Sequence, residues 1–180
     1  MRSLFLAGSV VMVGMLLASC GSRAPACDGA CSCTSERCSC SGNCTIGGTA
    51  PSAGHFSADC SSAQQCTVNC TVGCDTSCTG QSSCTQELGT SSTASCTGGS
   101  SCQISAGADS GVDCRGNSVC QLTLRPGARA DCGGNSTCQV TCPDSHCTLS
   151  CGGSSTCTLR CADGGPGLTC GSIRQCEACP

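Results

Sequence analysis

Over the last two-thirds of the chain, apolar residues and cysteines alternate with Ser, Thr, Gln and charged residues in short runs. Two residues before a cysteine stand Ala58, Thr76, Ala94, Val112, Ala130, Leu149 and Leu168. Two residues after the next cysteine stand Val68, Gln86, Ile104, Leu122, Val140, Leu159 and Ala178. Four residues after it come Cys70, Leu88, Ala106, Leu124, Cys142 and Cys161. Alternation with period two is the signature of a strand with one buried face. Each repeat therefore predicts two short strands, one ending at the first cysteine and one starting at the second.

The cysteines set the period. Pairs with five residues between them are Cys60/Cys66, Cys78/Cys84, Cys96/Cys102, Cys114/Cys120, Cys132/Cys138, Cys151/Cys157 and Cys170/Cys176. The first member advances by 18 residues four times and then by 19 twice. A fixed short period means a solenoid, in which each coil buries its face on its neighbours. The expected fold is all-β: a parallel β-solenoid of about seven coils of 18–19 residues over 59–180, stapled by disulfides. At ~4.8 Å per coil the rod is roughly 30–35 Å long.

A turn must lie inside each pair. Seven extended residues hold their ends roughly 20 Å apart, whereas bridged cysteines need Cα atoms at ~4.4–6.8 Å. Gly80, Gly98, Gly116, Gly134 and Gly153 stand two residues after the first cysteine, where positive φ suits glycine. Ser82, Ser100, Ser118, Ser136 and Ser155 follow two residues later and offer hydroxyls to the turn backbone. Each Cys-x5-Cys reads as a staple across one narrow end of a coil. Cys70/Cys74 and Cys142/Cys147 read as staples at the opposite end. Cys161 and Cys179 are left over, 18 residues apart, and are expected to bridge neighbouring coils.

Composition explains the need for staples. The chain has no Trp or Tyr and two Phe, and one of these is Phe5 in the first few residues. Aromatic side chains each bury ~150–250 Å², so the largest sources of hydrophobic stabilisation are missing. There are 27 cysteines instead. In an oxidising compartment such density reads as a disulfide framework. All eight basic residues are Arg, against eleven acids. That acidic balance argues against nucleic acid as a partner, since phosphate binding needs basic patches.

The N-terminus points to export. Arg2 precedes a nearly unbroken apolar run from Leu4 to Ala18. This run is too short for a spanning helix, which needs ~20 residues, and has the length of a signal-peptide core. Leu17-Ala18-Ser19-Cys20 resembles the lipobox of bacterial lipoproteins. The resemblance implies removal of residues 1–19 as a signal peptide and diacylglyceryl attachment (a palmitate-type lipid) at Cys20. A further acyl chain on the new amine would complete a membrane anchor, since stable anchoring takes two signals. Gly21 rather than Asp follows Cys20. Within that family this favours the outer membrane of a Gram-negative envelope.

Residues 20–26 then read as a lipid-anchored tether. Residues 27–44 read as a cysteine-rich knot outside the repeat, and 45–58 as a linker. The knot holds Cys27, Cys31, Cys33, Cys38, Cys40 and Cys44. Its doublets Cys31-Ser32-Cys33 and Cys38-Ser39-Cys40 resemble metallothionein, which implies soft-metal binding by thiolates such as Cu(I) or Zn(II). The competing expectation is three local disulfides, favoured by the even count and the oxidising compartment.

Two further resemblances concern the repeat. Gly116-Asn117-Ser118 and Arg125-Pro126-Gly127-Ala128 resemble hexapeptide-repeat left-handed β-helices, whose coils also take 18 residues. The inward positions do not keep a six-residue phase, which leaves the handedness open. Cys-Thr-Gly-Gly-Ser-Ser-Cys at 96–102 resembles the repeat of an insect antifreeze β-helix. That family carries a Thr-x-Thr ladder, whereas Thr-Cys-Thr occurs here once, at 156–158.

No catalytic constellation emerges. His55 falls in the linker, and His146 adjoins Cys147, which has a bridge partner. Asp113 and Asp131 stack on adjacent coils and read as solvated carboxylates. Thr67, Thr85, Gln103, Gln121, Gln139 and Thr158 form an outward ladder that stiffens the rod or offers a polar binding face. The expectation is a non-enzymatic, cofactor-free cell-envelope protein, held on the membrane by lipid, with a structural or adhesive role. Metal sequestration at 27–44 and ice or mineral binding by the ladder are the alternatives.

Overall fold

The computed structural model describes residues 25–48 and 56–177, apart from 62, 145 and 171. The lipobox, Cys20, His55, Ala178 and Cys179 lie outside the described residues. In chain order the strands are β1 (Ala26–Cys33), β2 (Arg37–Gly48), β3 (Phe56–Asp59), β4 (Gln65–Val72), β5 (Cys74–Cys78), β6 (Ser83–Thr90), β7 (Thr93–Cys96) and β8 (Ser101–Ala106). There follow β9 (Gly111–Cys114), β10 (Val119–Leu124), β11 (Arg129–Cys132), β12 (Thr137–Cys142), β13 (Thr148–Cys151), β14 (Thr156–Cys161), β15 (Leu168–Cys170) and β16 (Ile173–Gln175).

The strands build a parallel β-solenoid with two faces. β4, β6, β8, β10, β12 and β14 stack in parallel on one face, and β3, β5, β7, β9, β11 and β13 on the other. The 18-residue period is the strand register itself. Cys66, Cys84, Cys102, Cys120, Cys138 and Cys157 align from rung to rung. Cys78, Cys96, Cys114, Cys132 and Cys151 align on the opposite face. Because the register never slips, every inward side chain sits above its counterpart. Ala58, Thr76, Ala94, Val112, Ala130 and Leu149 are buried, as are Val68, Gln86, Ile104, Leu122, Val140 and Leu159.

The turns follow from residue chemistry. Gly80, Gly98, Gly116, Gly134 and Gly153 all take positive φ, between 66° and 75°. They also stack, so that a Cβ on Gly98 would stand 3.1 Å from the Gly80 nitrogen. Ser82 Oγ donates to the Thr79 carbonyl at 2.7 Å, and Ser100 and Ser118 make the same bond to Thr97 and Arg115. A second inward column, Ser92, Ser110 and Ala128, lines the opposite corner. There the Cys74 amide donates to Ser92 Oγ at 3.2 Å and the Ser92 amide to Ser110 Oγ at 3.1 Å.

Both ends depart from the sequence expectation. Residues 27–44 are not a separate knot. β2 is the first rung, with Arg37–Ser39 pairing with β3 on one face and Cys44–Gly48 with β4 on the other. β1 then runs antiparallel along β2 and ends the stack. The 45–58 linker shrinks accordingly, since β2 extends through Gly48 and β3 starts at Phe56, which is buried.

At the other end the last cysteine pair of the repeat adds no parallel rung, so six rungs follow β2. Residues 162–167 fold back on β14, with the Cys161 amide donating to the Gly165 carbonyl at 2.9 Å and the Gly167 amide to the Leu159 carbonyl at 2.9 Å. β15 and β16 pair antiparallel to each other, and β16 lies antiparallel against β13. Leu168, placed inward by the repeat, is 51% exposed. The Cys170/Cys176 segment follows the folded-back residues 162–167 and makes a hairpin instead of a rung.

Candidate functional site

The bridges occupy the two corners of the coils and the two ends of the stack. Cys60–Cys66, Cys78–Cys84, Cys96–Cys102, Cys114–Cys120, Cys132–Cys138 and Cys151–Cys157 cross one corner, with Cα separations of 6.0–6.6 Å. Cys40–Cys44 heads that corner on β2. Cys70–Cys74 and Cys142–Cys147 close the opposite corner, at 6.4 and 6.0 Å. Cys33–Cys38 ties β1 to β2. The C-terminal pairing differs from the expectation. Cys161 bonds to Cys176, at a Cα separation of 5.5 Å, rather than to Cys179. Cys176 is therefore not the partner of Cys170. Folding back after β14 and the β15–β16 hairpin bring Cys176 beside Cys161, which a seventh rung would have kept apart.

Stacking places sulfur over sulfur. Cys40 Sγ lies 3.5 Å from Cys66 Sγ, and Cys44 Sγ lies 3.8 Å from it. Sulfurs of Cys78, Cys84 and Cys102 lie within 4.8 Å of one another, as do those of Cys96, Cys114 and Cys120. All of these are buried and bridged. A bridged sulfur is not a thiolate, and the thiolate is the metal-binding form, so this column is a staple rather than a metal centre as it stands.

The six-cysteine set at 27–44 is divided the same way. Cys33, Cys38, Cys40 and Cys44 are bridged, which leaves thiols on Cys27 and Cys31. The Cys31 thiol donates to the Asp28 carbonyl at 3.3 Å. Its pKa is pushed up from 9.0 to about 11, first by desolvation, then by its hydrogen bond with Cys27 and by the charges of Cys27 and Asp28.

The outward ladder lies on the face built by β4 to β14. Thr67, Thr85, Gln103, Gln121, Gln139 and Thr158 are in register. Asn69, Glu87, Ser105, Thr123, Thr141 and Arg160 form the row beside them. A shallow groove runs between these rows from Thr85 to Thr141. Glu87 and Arg160 are the charged members of the two rows and stand near opposite ends. The other face is more charged. Asp113 and Asp131 are adjacent in register, and Arg115 Nε donates to Asp113 Oδ1 at 2.6 Å. That bond and the Asp113 charge raise the Arg115 pKa further, with a lesser push from Asp131. A guanidinium thus already serves these carboxylates.

His146 does not face a thiol. Cys147 is bridged, while His146 Nδ1 lies 2.6 Å from the Asp144 carbonyl and Nε2 lies 2.9 Å from Glu177 Oε1. Sequence reasoning missed the Ser92/Ser110 column and the rung formed by β2. Cys44-Thr45-Ile46 does match Cys66-Thr67-Val68 in type, and that likeness was the available signal. The sequence matches no known protein family and no curated protein, and no solved structure matches the fold.

Proposed function

We propose that the protein is a non-enzymatic lipoprotein of the cell envelope with a structural or adhesive role. It is exported, cut before Cys20 and anchored by lipid in the outer membrane. The supporting observation is the uncharged ladder Gln103, Gln121 and Gln139 with its flanking Thr and Ser side chains, displayed on a rod stapled at every rung. Amides and hydroxyls at a fixed ~4.8 Å repeat suit a neutral, hydrogen-bonding surface. They offer little to a polyanion or an apolar partner. The lipobox supports the anchor. Metal sequestration is the weaker reading, because four of the six cysteines at 27–44 are bridged. Ice or mineral binding would use the same ladder.

The test combines two variants in the producing cell. Cys20→Ser is expected to move the protein from the membrane to the soluble fraction. Gln103→Arg, Gln121→Arg and Gln139→Arg together are expected to abolish adhesion of cells to their surface while leaving the β-sheet circular dichroism unchanged. Unaltered adhesion in the triple variant removes the binding role and leaves a structural one. Thermal hysteresis or altered crystal growth with purified protein would transfer the ladder to the ice or mineral reading.

A further inference from the structure

Among the cysteines whose side chains are described, Cys27 and Cys31 carry thiols. They lie four residues apart on β1, a spacing that holds side chains far apart in a straight strand. β1 is not straight. Its register on β2 slips between Gly29 and Cys31. Gly29 takes φ 91° there, and a Cβ at that position would collide with the Asn43 carbonyl oxygen. Gly29 lies opposite Cys44 and Cys31 opposite Cys40. β1 therefore turns the same corner that Cys40–Cys44 staples on β2. The turn brings the two thiols together at this corner, close enough for Cys27 to influence the ionisation of Cys31. Cys-x3-Cys is the spacing already bridged at Cys40–Cys44 and Cys70–Cys74.

The pair differs from the other cysteines in access. β1 ends the stack, and among the described residues no further rung covers it. Cys27 is exposed, and Cys31 is half-buried against the core. Both sulfurs of each bridge from Cys60–Cys66 to Cys132–Cys138 are buried. Thiol–disulfide exchange requires a thiolate to reach a sulfur directly. The exposed end of the rod meets that requirement, and the buried column does not.

We propose that Cys27 and Cys31 form a thiol–disulfide exchange site whose substrate is a small, sterically open disulfide. Cys27, as thiolate, attacks one sulfur of R–S–S–R. A Cys27–S–S–R bond forms, and the released R–S⁻ takes up the proton that Cys27 gave up. Cys31 then loses its proton and attacks Cys27 Sγ, which expels the second R–S⁻, and that thiolate takes the proton. Two cysteine thiols are oxidised to one bridge, and one disulfide is reduced to two thiols. Cys27 is the entry sulfur because it is exposed. Cys31 is the resolving sulfur, held as a thiol beside the Asp28 carbonyl until the mixed disulfide forms. In an oxidising compartment the exchange runs toward the closed bridge, which clamps the end strand.

The experiment uses the full exported chain with its bridges intact. It is equilibrated in glutathione buffers of graded oxidised-to-reduced ratio, quenched with acid and alkylated, and the labelled peptides are mapped by mass spectrometry. Label on Cys27 and Cys31 is expected to appear and vanish together, over ratios that leave Cys78–Cys84 through Cys132–Cys138 unlabelled. Cys31→Ser is expected to trap glutathione on Cys27, whereas Cys27→Ser traps none on Cys31. Circular dichroism checks that each variant keeps its β-sheet. Three results would overturn the assignment: labelling of the pair only together with the buried bridges, trapping on Cys31, or a stoichiometric metal ion on the pair.

Discussion

Gln86 is the odd residue among the inward positions. It is buried in a column whose neighbours are Val68 and Ile104. Its Oε1 accepts from Thr76 Oγ1 at 2.8 Å, but Nε2 has no partner among the described residues. A buried donor left unsatisfied costs ~1–3 kcal/mol. Leucine has nearly the same volume and matches the column, and Thr76 Oγ1 retains the Thr93 carbonyl at 3.3 Å. Gln86→Leu is therefore expected to stabilise the oxidised protein by about 1 kcal/mol, read as a higher guanidinium midpoint. A lower midpoint would show that the Thr76 bond outweighs the stranded amide. Cys31 gives a second residue-level test. Its pKa is raised to about 11, so at pH 8 it is almost entirely thiol. In the open pair, alkylation of Cys31 should be slow at pH 8 and should keep rising as the pH approaches 11. A plateau near pH 9 would contradict the desolvation and the Asp28 and Cys27 contacts that cause the shift.

The repeating element is a turn that in Cys78–Cys84, Cys96–Cys102, Cys114–Cys120 and Cys151–Cys157 is fixed three times over, by a positive-φ glycine, a serine hydroxyl on the backbone and a disulfide. Closing a loop of this size contributes ~2 kcal/mol in the chain-entropy model. Replacing Cys96 and Cys102 together by Ala should cost about that much. The loss should stay local, because each rung of a solenoid contacts only its neighbours. Hydrogen exchange should accelerate in β7 and β8 and remain slow in β11 and β12. Uniform acceleration along the rod would mean that the rungs unfold as one unit. These turns were readable in the sequence because each feature repeats with the cysteines. The opposite corner was not, since Ser92 and Ser110 give way to Ala128 and then to Cys147. A column filled by different chemistries at each level leaves no pattern. The failure of the last pair was not legible from its turn, because Ser62 and Gln64 break the signature of the first pair as Ser172 and Arg174 break that of the last, and Cys60–Cys66 still closes. Its consequence, Cys161 bonding to Cys176, depends on where the folded-back segment lies, and spacing does not encode that.

On the scale of the molecule, the principal problem for a short parallel stack is its two ends, since open strand edges pair with other chains. The N-terminal end is closed by β1, which pairs with β2 from Cys38 to Gly47 and is tied to it by Cys33–Cys38. The C-terminal end is closed by residues 162–167 on β14 and by β16 on β13, held by Cys161–Cys176. Both ends use antiparallel or irregular pairing, which the period of the repeat cannot foretell. The candidate polar ladder was legible for the reason the fold was: outward positions keep the same register as the cysteines. The thiol pair was not, because its proximity arises from a register slip at Gly29. Neither end nor ladder depends on a large apolar core, and the staples take its place.

The stapled solenoid is tested most directly by mapping the disulfides of the exported chain, digested without reduction and read by mass spectrometry. The account expects each Cys-x5-Cys from Cys60 to Cys157 to be closed within its own rung, with Cys161 joined to Cys176. Bridges that join neighbouring rungs, or Cys161 joined to Cys179, would contradict it.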